Sequence, residues 1–195
     1  MEFYQDMDFR KHELLEYKII KCDASHLDEL LALSKESFIQ AFQKSSNPDN
    51  FKLYVAQAFT PSVLTEELAH QETVFFILKT PENENVGYIK MRWDRGKELF
   101  PYQKSIELQR IYVLEKFWHQ GYGKVLLDYA ERYASEAKYT WIYLVVWFQN
   151  DTAIRFYERN FWKQFAKKDF KFGNEIHHNI VMKKNIGFSS IFGWE

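Results

Sequence analysis

One stretch, residues 106–127, constrains this chain most, because its two halves require different secondary structures. Residues 105–113 are rich in β-branched and apolar side chains and predict a buried strand. After a short polar and aromatic connection, Gly121 and Gly123 flank Tyr122, and the residues that follow place apolar or small side chains three and four positions apart, which is typical of one helical face. We therefore expect a strand, a glycine turn and a helix in direct succession.

The predicted turn is suited to an anion. Two glycines let the backbone approach a phosphate without obstruction by Cβ, and the first N–H groups of a helix have no intrahelical acceptors. The named phosphate motifs do not fit, because Val125 follows Lys124 where a Walker loop has Ser or Thr, and Leu126 stands where a dinucleotide fingerprint has a third glycine. The pattern alone therefore leaves open a plain turn without a ligand.

The composition predicts one folded domain. The chain has 195 residues, of which 46% are hydrophobic and 18% aromatic, enough for a substantial core. A net charge of −1 argues against nucleic acid or an anionic membrane as the main partner. The one cysteine, Cys22, cannot form an internal disulfide, and the first residues lack the apolar core of a signal peptide. We expect a cytoplasmic protein without a membrane span.

Hydrophobic periodicity predicts the element order βααα–βββ–α–β–α–ββ, a mixed α/β (α+β) fold with helices on both faces of the sheet. Ser25 is expected to cap the first helix, and residues 45–50 to form a turn. Residues 1–16 are interpreted as an N-terminal extension, residues 17–184 as the domain, and residues 185–195 as an aromatic tail suited to a subunit contact in a homodimer.

Two segments resemble the GNAT superfamily of acetyl-CoA-dependent N-acetyltransferases. Residues 118–123, WHQGYG, are similar to the family motif Q/R-x-x-G-x-G/A, with Trp118 in place of the polar first residue. Residues 150–162, NDTAIRFYERNFW, resemble the segment N-x-x-A-x-x-F-Y-x-x-x-G-F, with Asn160 in place of the glycine; asparagine tolerates a positive φ there. The chain looks most like the bacterial spermidine/spermine acetyltransferase-like branch. The resemblance implies a mostly antiparallel sheet of about seven strands.

The resemblance implies two catalytic side chains, Glu107 and Tyr157. Glu107 would take the proton of the amine, but a glutamate with a pKa of about 4.3 is a poor base, so this role requires partial burial or a water relay. The alternative is a solvated glutamate or one paired with Arg110 or Lys104. Tyr157 matches the family's general acid; the alternative is a core tyrosine of an amphipathic helix.

The resemblance also implies contacts to acetyl-CoA, mostly through the main chain. The pantetheine arm is expected along the end of the central strand, with the N–H of Val113 facing the acetyl oxygen, and the pyrophosphate is expected at the glycine turn. The implied cofactor-binding residues are Ile111, Tyr112, Val113, His119, Gln120, Gly121, Tyr122, Gly123, Lys124, Asn150, Ala153 and Tyr157. No metal is expected, because Cys22 and His26 lack partners for a zinc site.

These implications define an expected function, the direct transfer of an acetyl group to a primary amine of a small molecule in a ternary complex, with polyamines as leading candidates. Keeping such an amine neutral near pH 7 costs roughly 4 kcal/mol, so a base is needed. Two alternatives stay open: a peptide, protein or antibiotic amine as acceptor, and a non-catalytic acyl-CoA-binding module, which the change at Trp118 suggests. Neither a nucleic-acid nor a membrane partner is expected.

Overall fold

The described residues form a seven-stranded sheet with helices on both faces, as the sequence predicted. The computed structural model describes residues 16–43, 47–172 and 175–187; most of the predicted extension and tail lies outside these ranges. No helix within them is long and apolar enough to cross a membrane. The elements are β1 (Lys18–Lys21), α1 (Leu27–Phe42), α2 (Pro48–Ala58), α3 (Pro61–Ala69), β2 (Thr73–Lys79), β3 (Asn85–Arg92), β4 (Ser105–Val113), α4 (Tyr122–Glu136), β5 (Trp141–Trp147), α5 (Asp151–Arg159), β6 (Lys163–Phe172) and β7 (Glu175–Asn185).

The sheet has the strand order β1-β2-β3-β4-β5-β7-β6. All neighbouring strands are antiparallel except β4 and β5, which are parallel. This parallel pair is short, since it joins only Ser105–Glu107 to Trp141–Tyr143. Beyond these residues the two central strands separate, although both continue.

Two apolar layers hold the helices to the sheet. On one face, Leu126, Leu127 and Ala130 of α4 are fully buried in a cluster with side chains of β2 to β5. On the other face, Leu30 of α1 and Leu64 of α3 pack against β2 and β3. Each fully buried aliphatic side chain contributes about 1.5–3 kcal/mol, so both helical layers are stabilised mainly by this contact.

The first two helices begin differently from the prediction. A 3₁₀ turn precedes α1, and its cap is Asp23 rather than Ser25: the carboxylate of Asp23 accepts from the N–H of Ser25 at 2.9 Å, and His26 accepts from the N–H of Asp23 at 3.2 Å. The helix α2 begins inside the predicted turn, with Asn47 as its cap and Pro48 in its first turn. Asn and Pro are signals for a turn and for a helix start alike, and here the helix formed.

The turn after α5 also differs. Asn160 was expected to hold the left-handed conformation, but its φ is −98°, and its side-chain amide donates to the carbonyl of Phe156 at 2.8 Å. The positive φ, 65°, falls on Phe161. Counted from Asn150, the glycine of the motif aligns with Phe161, so the expectation at Asn160 was one residue too early.

A β-bulge interrupts the pairing of β3 with β4. Lys90 faces Arg110 and Met91 faces Leu108, so that Gln109 is an extra residue on β4. In a regular strand, residues two apart share a face. Here Leu108 packs in the layer of α4, whereas Arg110 pairs with α3 on the opposite face. The bulge thus exchanges the two faces of β4 where it separates from β5.

Candidate active site

A cleft opens where β4 and β5 separate. Its volume is about 210 Å³, and its walls are the diverging main chains together with parts of α1 and α5. It is lined by Ala41, Phe42, Leu108, Gln109, Arg110, Ile111, Tyr112, Leu144, Val145, Val146, Trp147, Asn150, Ala153 and Tyr157. Five of the predicted site residues are therefore brought together here: Ile111, Tyr112, Asn150, Ala153 and Tyr157.

The N-terminus of α4 presents a row of free backbone N–H groups. Gly121 precedes the helix with a φ of 95°, a conformation that glycine adopts without strain. Within the described ranges, the N–H groups of residues 119–123 donate to no protein acceptor. The next two, of Lys124 and Val125, donate to the carbonyl of Gly121 at 2.9 and 3.2 Å. Free amides at the positive end of a helix dipole suit a phosphate, and we call this row the amide cradle.

The side chains around the amide cradle are largely engaged elsewhere. Tyr122 is buried in the core, and the amide of Gln120 donates to the carbonyl of the preceding turn at 2.8 Å. Lys124 pairs with both oxygens of Asp128 at 2.5 Å. His119 is exposed, with a φ of 61°. The amide cradle is therefore a main-chain feature, and Lys124 has a partner on its own helix.

Trp118 has a structural role of its own. Its indole N–H donates to the carbonyl of Val113 at 2.7 Å, which ties the connection before α4 to the last residue of β4. The same end of β4 is held closely by β3, since a Cβ on Gly87 would lie 2.3 Å from the carbonyl oxygen of Tyr112. The departure from the family motif at Trp118 thus adds a link between β4 and the amide cradle.

Tyr157 reaches the cleft from α5. The side chain of Asn150 caps this helix by accepting from the N–H of Ala153 at 3.1 Å. Tyr157 is buried, with its ring 5.7 Å from that of Trp162. Burial, with a smaller contribution from Tyr112, raises the pKa of the Tyr157 phenol well above its ordinary range. The phenol therefore stays protonated at neutral pH and can donate a hydrogen bond.

Glu107 lies one residue before the cleft wall. Its side chain is buried, and its Oε2 atom has no hydrogen-bond partner in the described part of the chain. Burial raises the pKa of Glu107, against the opposing attraction of nearby cations. These cations are Lys168, Arg95, Lys90 and Arg92. The partial burial that a basic role requires is present.

The alternative ion pairs of Glu107 do not form. Neither Arg110 nor Lys104 pairs with it among the described residues. Arg110 instead holds both oxygens of Glu67, from α3, at 2.8 and 3.0 Å, and Lys90 approaches the same carboxylate at 2.6 Å. Burial alone would raise the pKa of Glu67, but these two cations together lower it. Glu67 is thereby an ionised, fully partnered group.

The other lining residues were not predicted as site residues, among them Gln109 and the part of β5 that forms the opposite wall. Gln109 lines the cleft, and its Oε1 atom is buried without a partner among the described residues; a bulge of one residue leaves no signal in a strand whose side chains are mixed. The wall formed by Leu144–Trp147 was missed because a continuous apolar run indicates burial on both faces, and nothing in it signals that the neighbouring strand departs.

The chain matches a family model over most of its length. Residues 27–161 fit the model described as "Acetyltransferase (GNAT) family". This range contains the cleft, the amide cradle and Tyr157.

Relatives and solved structures agree with this match. An uncharacterised N-acetyltransferase in the pepI 3′ region of Lactobacillus delbrueckii subsp. lactis is 29% identical over 169 residues, 86% of this chain and 96% of that protein. The PaiA N-acetyltransferase of Thermoplasma acidophilum, solved with coenzyme A, superposes with a TM-score of 0.68 at 19% identity, covering 88% of this chain and 99% of that one. The ribosomal-protein-S18-alanine N-acetyltransferase of Escherichia coli superposes with a TM-score of 0.60 at 15% identity, covering 89% and 96%.

Proposed function

We propose that this chain, which belongs to the GNAT family of acetyltransferases, moves an acetyl group from acetyl-CoA to a primary amine of a small molecule. Family membership makes it an N-acetyltransferase; the acceptor and the residue roles are the proposal. The observations that carry it are the cleft between β4 and β5 and the free amides of α4, whose preceding connection is tied to the end of β4 by Trp118.

The residues present fit acetyl-CoA, which supplies an activated thioester when bound. The amide cradle offers consecutive donors to a pyrophosphate. A Cβ on Gly123 would meet only Phe156, at 3.9 Å, so no other protein atom fills the space next to this residue of the amide cradle. Ile111, Tyr112 and Val113 lie on the edge of β4 that β5 has left, where amide groups of an extended ligand can pair as a strand would.

Glu107 accepts the proton of the incoming ammonium in this proposal. Its raised pKa makes it a stronger base than an exposed glutamate, and its unpartnered Oε2 atom can receive the proton directly or through one water. The bulge residue Gln109 offers a second free oxygen within the cleft, which can accept a hydrogen bond from the same amine.

Tyr157 acts as a hydrogen-bond donor to sulfur. A reference thiol has a pKa of about 8.5 and a reference phenol about 10, so complete proton transfer from a phenol to a free thiolate is uphill. The raised pKa of Tyr157 increases this difference. Tyr157 therefore stabilises charge on the departing sulfur through its hydrogen bond, and does not need to lose its proton.

The amide cradle is tested by titrating coenzyme A calorimetrically into the wild type, Gly123→Ala and the control Gly187→Ala. Both positions have room for a Cβ, with nearest contacts of 3.9 and 3.5 Å, so both variants should fold. We expect affinity to fall by roughly tenfold or more for Gly123→Ala alone, since one lost charge-assisted hydrogen bond is worth about 1.5–3 kcal/mol. Equal affinity in all three proteins would contradict the cradle.

The reaction is tested by thiol release from acetyl-CoA with a panel of primary amines. For Tyr157→Phe we expect kcat to fall by roughly 10- to 100-fold with coenzyme A affinity unchanged. Tight binding without thiol release on any amine would contradict the proposed transfer to small amines. The panel includes the polyamines to which the sequence resemblance points, together with peptide and antibiotic amines as the alternative acceptors.

A further inference from the structure

Several cations lie on the acceptor side of the cleft, together with the carboxylates of Glu67 and Glu107. Among the described residues that line the cleft, Arg110 alone carries a charge. The groups that act most strongly on the neighbouring Glu107 are also cations, Lys168, Arg95, Lys90 and Arg92. A ligand that enters here meets positive charge on more than one side.

Two of these cations are already neutralised by partners. Lys90 pairs with Glu67 at 2.6 Å. Arg92 holds both oxygens of Asp94, each at 2.6 Å. Arg95 and Lys168 differ from them, because both are exposed and the side chain of neither forms an ion pair or a hydrogen bond within the described ranges. They are the cations available to a ligand.

The residue that follows Arg95 holds the backbone of its loop close to the strand of Glu107. A Cβ on Gly96 would lie 2.0 Å from the hydroxyl of Ser105 and 3.3 Å from the ring of Tyr143, so the backbone of this loop rests on the sheet. Tyr143 is the register partner of Glu107 across the parallel pair. The loop therefore brings Arg95 to the point where β4 and β5 begin to separate.

Lys168 approaches from the other side of the cleft. It lies opposite Asn179 in the β6–β7 pair, and Asn179 lies opposite Trp147 in the β7–β5 pair. Residues directly opposite share a face of the sheet, and Trp147 lines the cleft. Lys168 on β6, Asn179 on β7 and Trp147 on β5 thus form a row across the sheet that ends at the cleft wall.

Nearby carboxylates form no ion pair with either cation within the described residues; Asp94 attracts Arg95, but its two oxygens are held by Arg92. Glu72 clusters with His70 and Asp94, whose ligand atoms lie within 4.8 Å of one another, and Glu98 is exposed in the loop of Arg95. Neither Glu72 nor Glu98 pairs with Arg95 or Lys168 within the described residues. The described residues that line the cleft include no Asp or Glu, so a second ammonium group on the acceptor would find no carboxylate on the cleft wall.

We propose that the acceptor is an amine that also carries a carboxylate, and that Arg95 and Lys168 bind this carboxylate while Glu107 receives the proton of the amine. The inference rests on the proposed acetyl transfer and names its substrate class. The transfer itself is unchanged. The amine nitrogen bonds to the acetyl carbon, and the carbon–sulfur bond breaks with its electrons on sulfur. Of the two protons that the ammonium loses on becoming an amide, one passes to Glu107 and the other to the departing sulfur, directly or through water. Binding of a carboxylate by these two cations would favour amino-acid-like acceptors over polyamines.

The test compares acceptors that differ only in the end group. Unbranched amines of equal length are assayed by thiol release as three series: ω-amino acids from glycine to 6-aminohexanoate, n-alkylamines, and α,ω-diamines. We expect kcat/KM for the best ω-amino acid to exceed that of its alkylamine by roughly tenfold or more, and the diamine to fall below the alkylamine. The preference should weaken as salt is added.

Variants assign the preference to the two cations. Arg95→Ala and Lys168→Ala should each lower the ratio of kcat/KM for the ω-amino acid to that for its alkylamine, and Arg95→Glu should lower it further. Lys97→Ala, an exposed lysine of the same loop, is the matched control and should leave the ratio unchanged. Diamines that equal or exceed ω-amino acids at every length would overturn the inference while leaving acetyl transfer intact. Absence of thiol release with all three series would overturn both.

Discussion

Burial shifts the pKa of two site residues, Glu107 and Tyr157, in the same direction, but the chemical result differs. It raises the pKa of Glu107 and of Tyr157. For the carboxyl this produces a better base, and for the phenol it secures a donor that keeps its proton. The same contacts withhold water from both groups, which strengthens any interaction they make with charge that develops in the cleft.

The raised pKa of Glu107 has a consequence for stability. A group whose pKa is higher in the folded state favours folding most below its unfolded value, about 4.3, and loses that contribution as pH rises through the folded value. At pH 7 the buried carboxylate is therefore unfavourable to the fold. We expect Glu107→Gln to lower kcat/KM by about 100-fold and to raise the melting temperature at pH 7, with no gain near pH 4. Thermal unfolding at both pH values measures this, and a lower melting temperature at pH 7 would contradict it.

Phe161 is strained by its backbone. Its φ is 65°, and its side chain is 75% exposed. The ring therefore buries too little area to offset the backbone strain. The left-handed conformation costs a side-chain-bearing residue about 1–2 kcal/mol, and the greater freedom of glycine when unfolded offsets up to about 1 kcal/mol. We expect Phe161→Gly to be the more stable protein in urea unfolding. Phe161→Ala removes the ring but keeps the Cβ, and should show no such gain; equal midpoints for the two variants would refute the backbone explanation.

At the scale of elements, the strand β4 was predicted with its observed bounds, whereas its internal bulge was not. The run of β-branched and apolar residues marks Ser105–Val113 as a strand because that pattern depends on composition. Gln109 is extra only relative to β3, a long-range pairing that local pattern does not encode. The same reason explains which cleft residues were predicted. Ile111 and Tyr112 were predicted from the end of the strand, whereas Gln109 and Leu144 line the cleft only because β4 and β5 diverge.

The close approach of β3 to the end of β4 gives a prediction for this pair of elements. Ala at position 87 would place its Cβ 2.3 Å from the carbonyl oxygen of Tyr112, a backbone atom that cannot move without displacing β4. Overpacking of this kind costs about 1–3 kcal/mol. We expect Gly87→Ala to lower both the unfolding midpoint and the affinity for coenzyme A, because Ile111 and Val113 shift with the strand. Gly187→Ala serves as the comparison, and unchanged affinity in Gly87→Ala would show that the end of β4 is not a binding element.

At the scale of the whole molecule, Glu67 fastens α3 to the middle of the sheet. Its carboxylate pairs with Arg110 from β4 and Lys90 from β3; Lys90 is buried, and the side chains of Arg110 and Glu67 are 17% and 18% exposed. Such a group could not be recognised from the sequence, because its members are 23 and 20 residues apart along the chain, and only the pairing of β3 with β4 brings them together.

Removing the carboxylate of Glu67 should lower the free energy of unfolding of the whole domain. Glu67→Gln leaves one buried and one largely buried cation without their counter-ion, which costs roughly 3 kcal/mol. The pKa of Glu67 is lowered in the fold, so its stabilisation is present above the unfolded value and is lost as pH falls through the folded one. We expect a large loss in the free energy of unfolding at pH 7 that narrows toward pH 3. Glu84→Gln, from an exposed pair with Lys116, should change little at either pH; a similar small effect at Glu67 would contradict this account.

Because β4 and β5 separate in the middle of the sheet, each has an unpaired edge there. Past Glu107 and Tyr143, the inner main chains of β4 and β5 face each other across a gap, each with hydrogen-bonding groups that a neighbour would normally satisfy. Unpaired strand edges attract extended segments of other polypeptides. An amide-bearing cosubstrate bound between β4 and β5 would form hydrogen bonds with these main-chain groups, as an additional strand does at the edge of an open sheet. The loaded protein should accordingly resist self-association better than the empty protein, so that the cosubstrate also protects the fold that binds it.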